Sequence, residues 1–205
     1  MASAKGWREA PEMTDVVFEL KGHSVAVDYM FALWSEVARI LPWIEAEKYA
    51  GIHPLKVAAS GLEMLLPRRT KLVLRVPQAR AAQATGLSGQ ALRIGSSVLH
   101  VGAATERPLQ AYPTLHAHVV ASECTEQVFI AGVTCQLDEL NVSCKWLCGK
   151  RHVIEGTERT LAGYSLVLHD LKPEESLRVQ RYGLGGERRF GCGIFVPYKT
   201  ITGLG

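Results

Sequence analysis

The stretch best equipped for chemistry is Gly183-Leu184-Gly185-Gly186-Glu187-Arg188-Arg189-Phe190-Gly191-Cys192-Gly193. Its glycines remove Cβ atoms, permit positive φ and let backbone N–H groups come close to a phosphate. Arg188 and Arg189 stand at its middle, where a guanidinium can hold a phosphate bidentately. The common phosphate motifs fail here. There is no G-x-x-x-x-G-K-[S/T], and Arg188 stands where a dinucleotide loop that begins Gly183, Gly185 needs glycine. Those motifs also open a helix after a strand, whereas this segment follows an expected helix. The plain alternative is a glycine hairpin that only turns the chain; the two arginines favour binding.

Charge points the same way. The net charge is only +3, yet residues 64–105 contain no carboxylate and carry Arg68, Arg69, Lys71, Arg75, Arg80 and Arg93. A second, diluted basic group includes Lys145, Lys150, Arg151, Arg188, Arg189 and Lys199. Such surface attracts a polyanion such as nucleic acid, with a solvated face as the alternative. Seven histidines offer groups that titrate near neutrality. His116 and His118 share one sheet face by period-two alternation, and either contact RNA or pack. His100, His152 and His169 have no supporting neighbours. Five cysteines, an odd number without an export signal, read as reduced thiols. Cys144, Cys148 and His152 invite a metal reading, but the spacing is not C-x-x-C and no second ligand pair follows. Packed or surface thiols are the plainer account.

These groups need a scaffold. The 205 residues, 47% hydrophobic and 21% charged, suffice for one domain or two small ones and argue against disorder. No apolar run is long enough to span a membrane. Residues 1–13 lack the apolar core of an export signal, so a cytoplasmic location is expected. Residues 14–20 read as a β-branched strand and 29–41 as a helix with an apolar stripe that Pro42 closes. Strands are expected at 55–59 and 71–76, a helix from Pro77 to Thr85, and a hairpin over 91–101 about Gly95-Ser96. The same order then recurs: strand 115–121, helix 126–140, an extended stretch 142–154 turning at Cys148-Gly149, strand 161–168, helix 173–182 and strand 192–197. Two βαββαβ units follow, over residues 14–105 and 113–199. The expected fold is α+β, tandem ferredoxin-like (RRM-like) domains whose helices leave one sheet face free.

The spacing glycine-hydrophobic-glycine, five residues, glycine-hydrophobic-glycine is met by Gly183-Leu184-Gly185 and Gly191-Cys192-Gly193. At the end of a second βαββαβ unit it resembles the signature of the CRISPR-associated endoribonucleases that cut repeat RNA to release guide RNAs. The Arg68-Arg69 pair and Cys148-Gly149-Lys150-Arg151 also look like segments of that family's compact branch. The resemblance spans residues 14–199. It implies cleavage without metal or other cofactor, in which a ribose 2′-OH attacks the adjacent phosphorus to leave a 2′,3′-cyclic phosphate and a 5′-OH. That chemistry needs a base, an acid and a cation. The resemblance puts His53 first as the catalytic histidine, with Lys56 as the cation and Tyr29 orienting or donating; His23 comes second. The alternative for His53 is a structural role in the turn before Pro54.

RNA phosphates are expected against Arg68, Arg69, Lys71, Lys150, Arg151, Arg188 and Arg189, with Gly183, Gly185, Gly186 and Gly191 shaping the loop that grips them. The implied partners are the repeat or guide-RNA stem-loop and other subunits of a CRISPR effector complex. Two rivals are a non-cleaving RNA-binding subunit and a small-molecule or metal-binding ferredoxin-like protein.

Overall fold

The structure, a computed structural model, describes residues 10–60, 63–156 and 159–198. Lys199, the expected end of the second unit, lies outside them. The first unit runs β1 (Met13–Lys21), β2 (Ser24–Ala26), α1 (Tyr29–Ile40), β3 (Gly51–Ile52), β4 (Ala58–Ser60), β5 (Glu63–Leu65), β6 (Lys71–Pro77), α2 (Ala81–Ala84), β7 (Ala91–Ile94) and β8 (Ser97–Pro108). The second runs β9 (Leu115–Ala121), α3 (Glu126–Glu139), β10 (Lys145–Ile154), β11 (Leu161–His169), α4 (Pro173–Tyr182) and β12 (Val196–Pro197).

The first sheet has the order β3-β6-β1-β8-β7 and the second β10-β11-β9-β12. All pairs are antiparallel. With the β7 hairpin strand set aside, both sheets follow one order, which is the ferredoxin-like arrangement expected from the repeated element order. Period-two alternation sends Val16, Phe18, Leu20, Leu72, Leu74 and Val76 to the helix face of the first sheet, where they pack with Leu33, Trp34 and Val37 of α1. In the second, Leu115, Ala117, Leu166 and Leu168 pack with Phe129 and Val133 of α3 and Val179 of α4. The larger core also takes in Val119, Leu161, Phe190 and Cys192, so the second unit contributes side chains to the packing of the first. Among the described residues, no helix is long and apolar enough to cross a membrane.

Four expected elements differ. The second strand of the main sheet is β3, ahead of the stretch expected at 55–59, and of that stretch only its end is strand, as β4 of a small sheet of order β2-β5-β4. Pro54 has no N–H for a ladder, and the next amide, Leu55 N–H, donates to Tyr29 Oη at 3.1 Å. The helix expected from Pro77 is only the single turn α2 between 3-10 turns at Gln78–Arg80 and Thr85–Leu87. Its buried residues Ala81, Ala84 and Leu87 recur every third position, the period of the tighter helix. The turn expected at Cys148-Gly149 is a bulge in a continuous strand, between Cys148 and Arg151. Of the last strand only Val196–Pro197 forms a ladder; Gly191 (φ 78) and Gly193 (φ 63) interrupt the extended backbone before it, although Gly193 N–H still donates to Val119 O of β9 at 2.7 Å.

Candidate active site

Three strands of the first sheet place a charged row on the face away from its helices. In register, Arg75 of β6 and Arg107 of β8 flank Asp15 of β1. Gly51 of β3 stands beyond Arg75, and two residues on, His53 is fixed by its own N–H donating to Val73 O at 2.9 Å. Asp15 Oδ1 accepts from Arg75 Nε at 2.8 Å and meets His53 Nε2 at 3.2 Å. Oδ2 accepts from Arg75 Nη2 at 3.2 Å and Arg107 Nη2 at 3.1 Å. Asp15, His53 and Arg75 are buried, Arg75 to 1% exposure. Its remaining nitrogen reaches the other unit, donating to Phe195 O at 2.8 Å and Gln180 O at 3.3 Å.

Burial would raise the Asp15 carboxyl, but attraction to His53 and then Arg75 outweighs it and holds the group far below the usual carboxylate range. Burial lowers His53, and only partly does Asp15 restore it; Arg75 and Arg107 depress it further. At neutral pH the site therefore holds an ionised Asp15 between arginines and an uncharged imidazole. An acceptor-only carboxylate selects the tautomer with the proton on Nε2, which leaves the Nδ1 lone pair free to take a proton. Tyr29 opens α1, is buried, and burial pushes its phenol up to about 12, which makes it a proton donor rather than a base. The Leu55 bond ties it to the His53 segment. Lys56 is exposed, and its carbonyl accepts from Thr70 Oγ1 at 3.0 Å. His23, the second candidate, is exposed between β1 and β2.

Asp15, Arg75 and Arg107 are the residues that sequence reasoning missed. Their signal was the presence of charge inside apolar strands, Asp15 before Val16-Val17-Phe18 and Arg75 between Leu74 and Val76.

The glycine-rich segment requires a correction. It is wedged between the two units rather than held out to solvent. Arg188, expected on RNA phosphate, is buried and donates from Nε to Tyr49 O at 3.0 Å and from Nη2 to Gln180 O at 3.5 Å. Its Nη1 has no hydrogen-bond partner among the described residues. Burial, then the nearby Arg75, lowers its pKa to about 9. Phe190 enters the first unit's core, 4.5 Å from the Phe31 ring centroid.

Gly183 and Gly191 are buried as well, and they serve close packing rather than an open cradle. Gly183 adopts φ 66, ψ −178, and a Cβ there would lie 2.1 Å from Arg188 Nη1 and 2.4 Å from Gly193 O. Gly183→Ala should therefore lower the thermal midpoint, by at least about 1–3 kcal/mol of stability. Gly186→Ala, where a Cβ meets nothing within 4 Å, should leave it unchanged. Equal midpoints for both variants in a melting experiment would refute this packing account.

Arg189, Gly185 and Gly186 remain exposed and border a cleft of ≈ 610 Å³ that Lys48 and Gln136 also line. Gly185 N–H is already taken by Gln136 Oε1 at 2.7 Å. Arg68 and Arg69 are exposed in the turn before β6, and Lys150 and Arg151 on β10. Lys71 is half-buried and paired with Glu19. Cys144 and Cys148 pack against the second core, whereas the His152 ring contacts His118, so the three do not converge.

The family model described as Cas6 Crispr matches residues 14–200. This chain belongs to the Cas6 family. The CRISPR-associated endonuclease Cas6 of Myxococcus xanthus (strain DK1622) is 30% identical over 216 residues, covering 96% of this chain and 94% of that protein. A solved structure titled CRISPR associated protein Cas6 superposes with a TM-score of 0.62 at 13% identity, over 92% of this chain and 100% of its own. Thermus thermophilus Cse3 bound to an RNA representing a pre-cleavage complex gives 0.53 at 15% identity, over 90% and 98%. Both structural likenesses concern the fold. The family resemblance carried by the Gly183–Gly193 spacing thus holds, although in this Cas6-family chain much of that segment is interior.

Proposed function

We propose that this Cas6-family endoribonuclease cuts the hairpin repeat of CRISPR precursor RNA without a metal ion, and stays on the product as a subunit of an effector complex. His53 Nδ1 takes the proton of the ribose 2′-OH, the 2′-oxygen bonds to phosphorus, and the P–O5′ bond breaks. The 5′-oxygen leaves with a proton, for which Tyr29 is the donor, and Lys56 offsets charge on the non-bridging oxygens. The products are a 2′,3′-cyclic phosphate and a 5′-OH. The observation that carries this reading is the buried Asp15–His53 pair, whose carboxylate is held ionised by two arginines and fixes the imidazole in one orientation.

Incubation of a repeat transcript with the protein in EDTA, resolved on a denaturing gel, is expected to give a fragment ending in cyclic phosphate. Loss of cutting in EDTA would sink the mechanism. A second reading draws on the burial of His53, whose side chain is only 10% exposed: a subunit that holds RNA without cutting it. The parent protein would then bind the transcript and leave it intact.

The phosphate contacts of this reading are Arg68, Arg69, Lys150, Arg151 and Arg189, all exposed. Replacing Arg68 and Arg69 together by Ala should reduce the slope of log affinity against log salt by about 0.7–0.9 per lost contact. An unchanged slope would remove that pair from the RNA surface.

A further inference from the structure

The face of the second sheet away from α3 and α4 carries a group of rings that the cleavage site does not use. His116 and His118 of β9 and His152 of β10 stand there with Tyr198, which follows β12. His118 and His152 lie with ring centroids 4.5 Å apart at 49°. His116 and Tyr198 lie 5.4 Å apart at 42°. Strands β9 and β10 flank β11, so their backbones are about 10 Å apart, and side chains on them would ordinarily be separated by one from the strand between. Here His152 is in register with Gly163 of β11, which has no side chain to intervene.

Both neighbours of β11 also bulge opposite Ser165. The β9 ladder slips between Tyr164 and Leu166 of β11, and the β10 ladder between Cys148 and Arg151. A bulge re-aims side chains and is a feature of functional sheet surfaces. Burial, followed by the charge of His152, lowers His116 and His118, so at neutral pH they present uncharged aromatic faces. Leu147, in the same cross-strand row as Val167 and His116, is 63% exposed, and Tyr198 46%. Lys150, in the bulge of the free edge strand, is exposed and in no ion pair among the described residues. Flat rings backed by apolar surface and edged by a cation match the chemistry of unpaired nucleotides, whose bases stack while a phosphate meets the cation.

We infer that the open face of the second sheet holds a single-stranded RNA segment flanking the hairpin, with bases stacked on the His118–His152 pair and the His116–Tyr198 pair. This rests on the reading of the chain as a repeat-RNA endoribonuclease, but assigns a second contact, separate from the reacting phosphate. The paired stem is held by backbone contacts, whereas the flank is held chiefly by stacking of its bases.

The test is fluorescence anisotropy with two RNAs, a blunt repeat hairpin and the same hairpin with a short unpaired extension, using an extension on the 5′ or the 3′ side in separate titrations. Replacing His118 and His152 together by Ala should weaken binding of an extended hairpin about 10- to 100-fold, the range of one or more lost stacking contacts. Binding of the blunt hairpin should stay within about twofold, and so should the cutting rate at saturating protein. The double variant with Phe at both positions should bind the extended RNA like the parent, which separates stacking from any general damage to the sheet. Equal losses on both RNAs, no loss on either extension, or failure of the Phe pair to retain binding would each overturn the inference. A parent that binds an extended hairpin through these rings yet never cuts it would remove the endonuclease reading alone.

Discussion

His53→Gln should abolish most of the cutting of a repeat transcript while leaving its binding intact. A positioned general base contributes about 10²–10⁴-fold, so single-turnover cleavage should fall by that factor with an unchanged dissociation constant. Gln is preferred to Ala because its amide can still donate to Asp15, which keeps the buried carboxylate supplied with partners and the protein folded. The pH profile gives a readout that folding alone does not move. Cleavage requires the unprotonated imidazole, and His53 is held below its ordinary value chiefly by burial. The parent rate should therefore stay on its plateau below pH about 6.5 and fall only as the solution becomes more acid. Asp15→Asn removes the one group that supports protonation of His53, so the acid limb should move to still lower pH. Parental cutting by His53→Gln, or an acid limb that ignores Asp15, would take His53 out of the chemistry.

Much of this fold is legible in local pattern. The β-branched run 14–20 and the apolar stripe of α1 are each decided within one element, and both recur in the second unit. What failed was decided elsewhere. The second strand of the first unit is only Gly51–Ile52, and its glycine is required because Arg188 O lies 2.4 Å from where a Cβ would stand. That contact joins residues far apart in sequence. Arg188 and Arg189 look alike as neighbours in a chain, but the 3-10 turn at Arg188–Phe190 sends one inward to backbone carbonyls and leaves the other in solvent. Tyr29 and His53 were named from family resemblance, and the Leu55–Tyr29 bond does bring their segments together. The groups that tune His53 were not visible, since the row Arg75–Asp15–Arg107 exists only once three strands are in register.

The largest expected effect on stability belongs to Arg75→Met. The substitution keeps most of the volume and removes the charge, leaving Asp15 with Arg107 and His53, removing the Arg75 donor from Phe195 O, and leaving Gln180 O with the longer bond from Arg188 Nη2. Breaking a buried pair from one side typically costs about 3–5 kcal/mol, and in a chain of this size that lowers the midpoint by about 6–20 °C. The two units should loosen together, because this one guanidinium joins β1 of the first to the Gln180 and Phe195 carbonyls of the second. The pH dependence has a definite sign. Asp15 and His53 both bind protons less readily in the folded chain than in the unfolded one, so stability is complete above the unfolded histidine value. It then declines as pH falls, first below about 6.5 through His53 and again below about 3.9 through Asp15. In Arg75→Met the larger of the two positive neighbours that depress His53 is gone, so the ring should protonate at higher pH and the acid limb of cleavage should shift toward neutrality, opposite to Asp15→Asn. Because the two residues share one interaction, the double variant Asp15→Asn/Arg75→Met should lose less than the sum of the single losses. Additive losses, or a midpoint for Arg75→Met equal to that of the parent, would mean that the buried cluster neither joins the two units nor sets the charge state of His53.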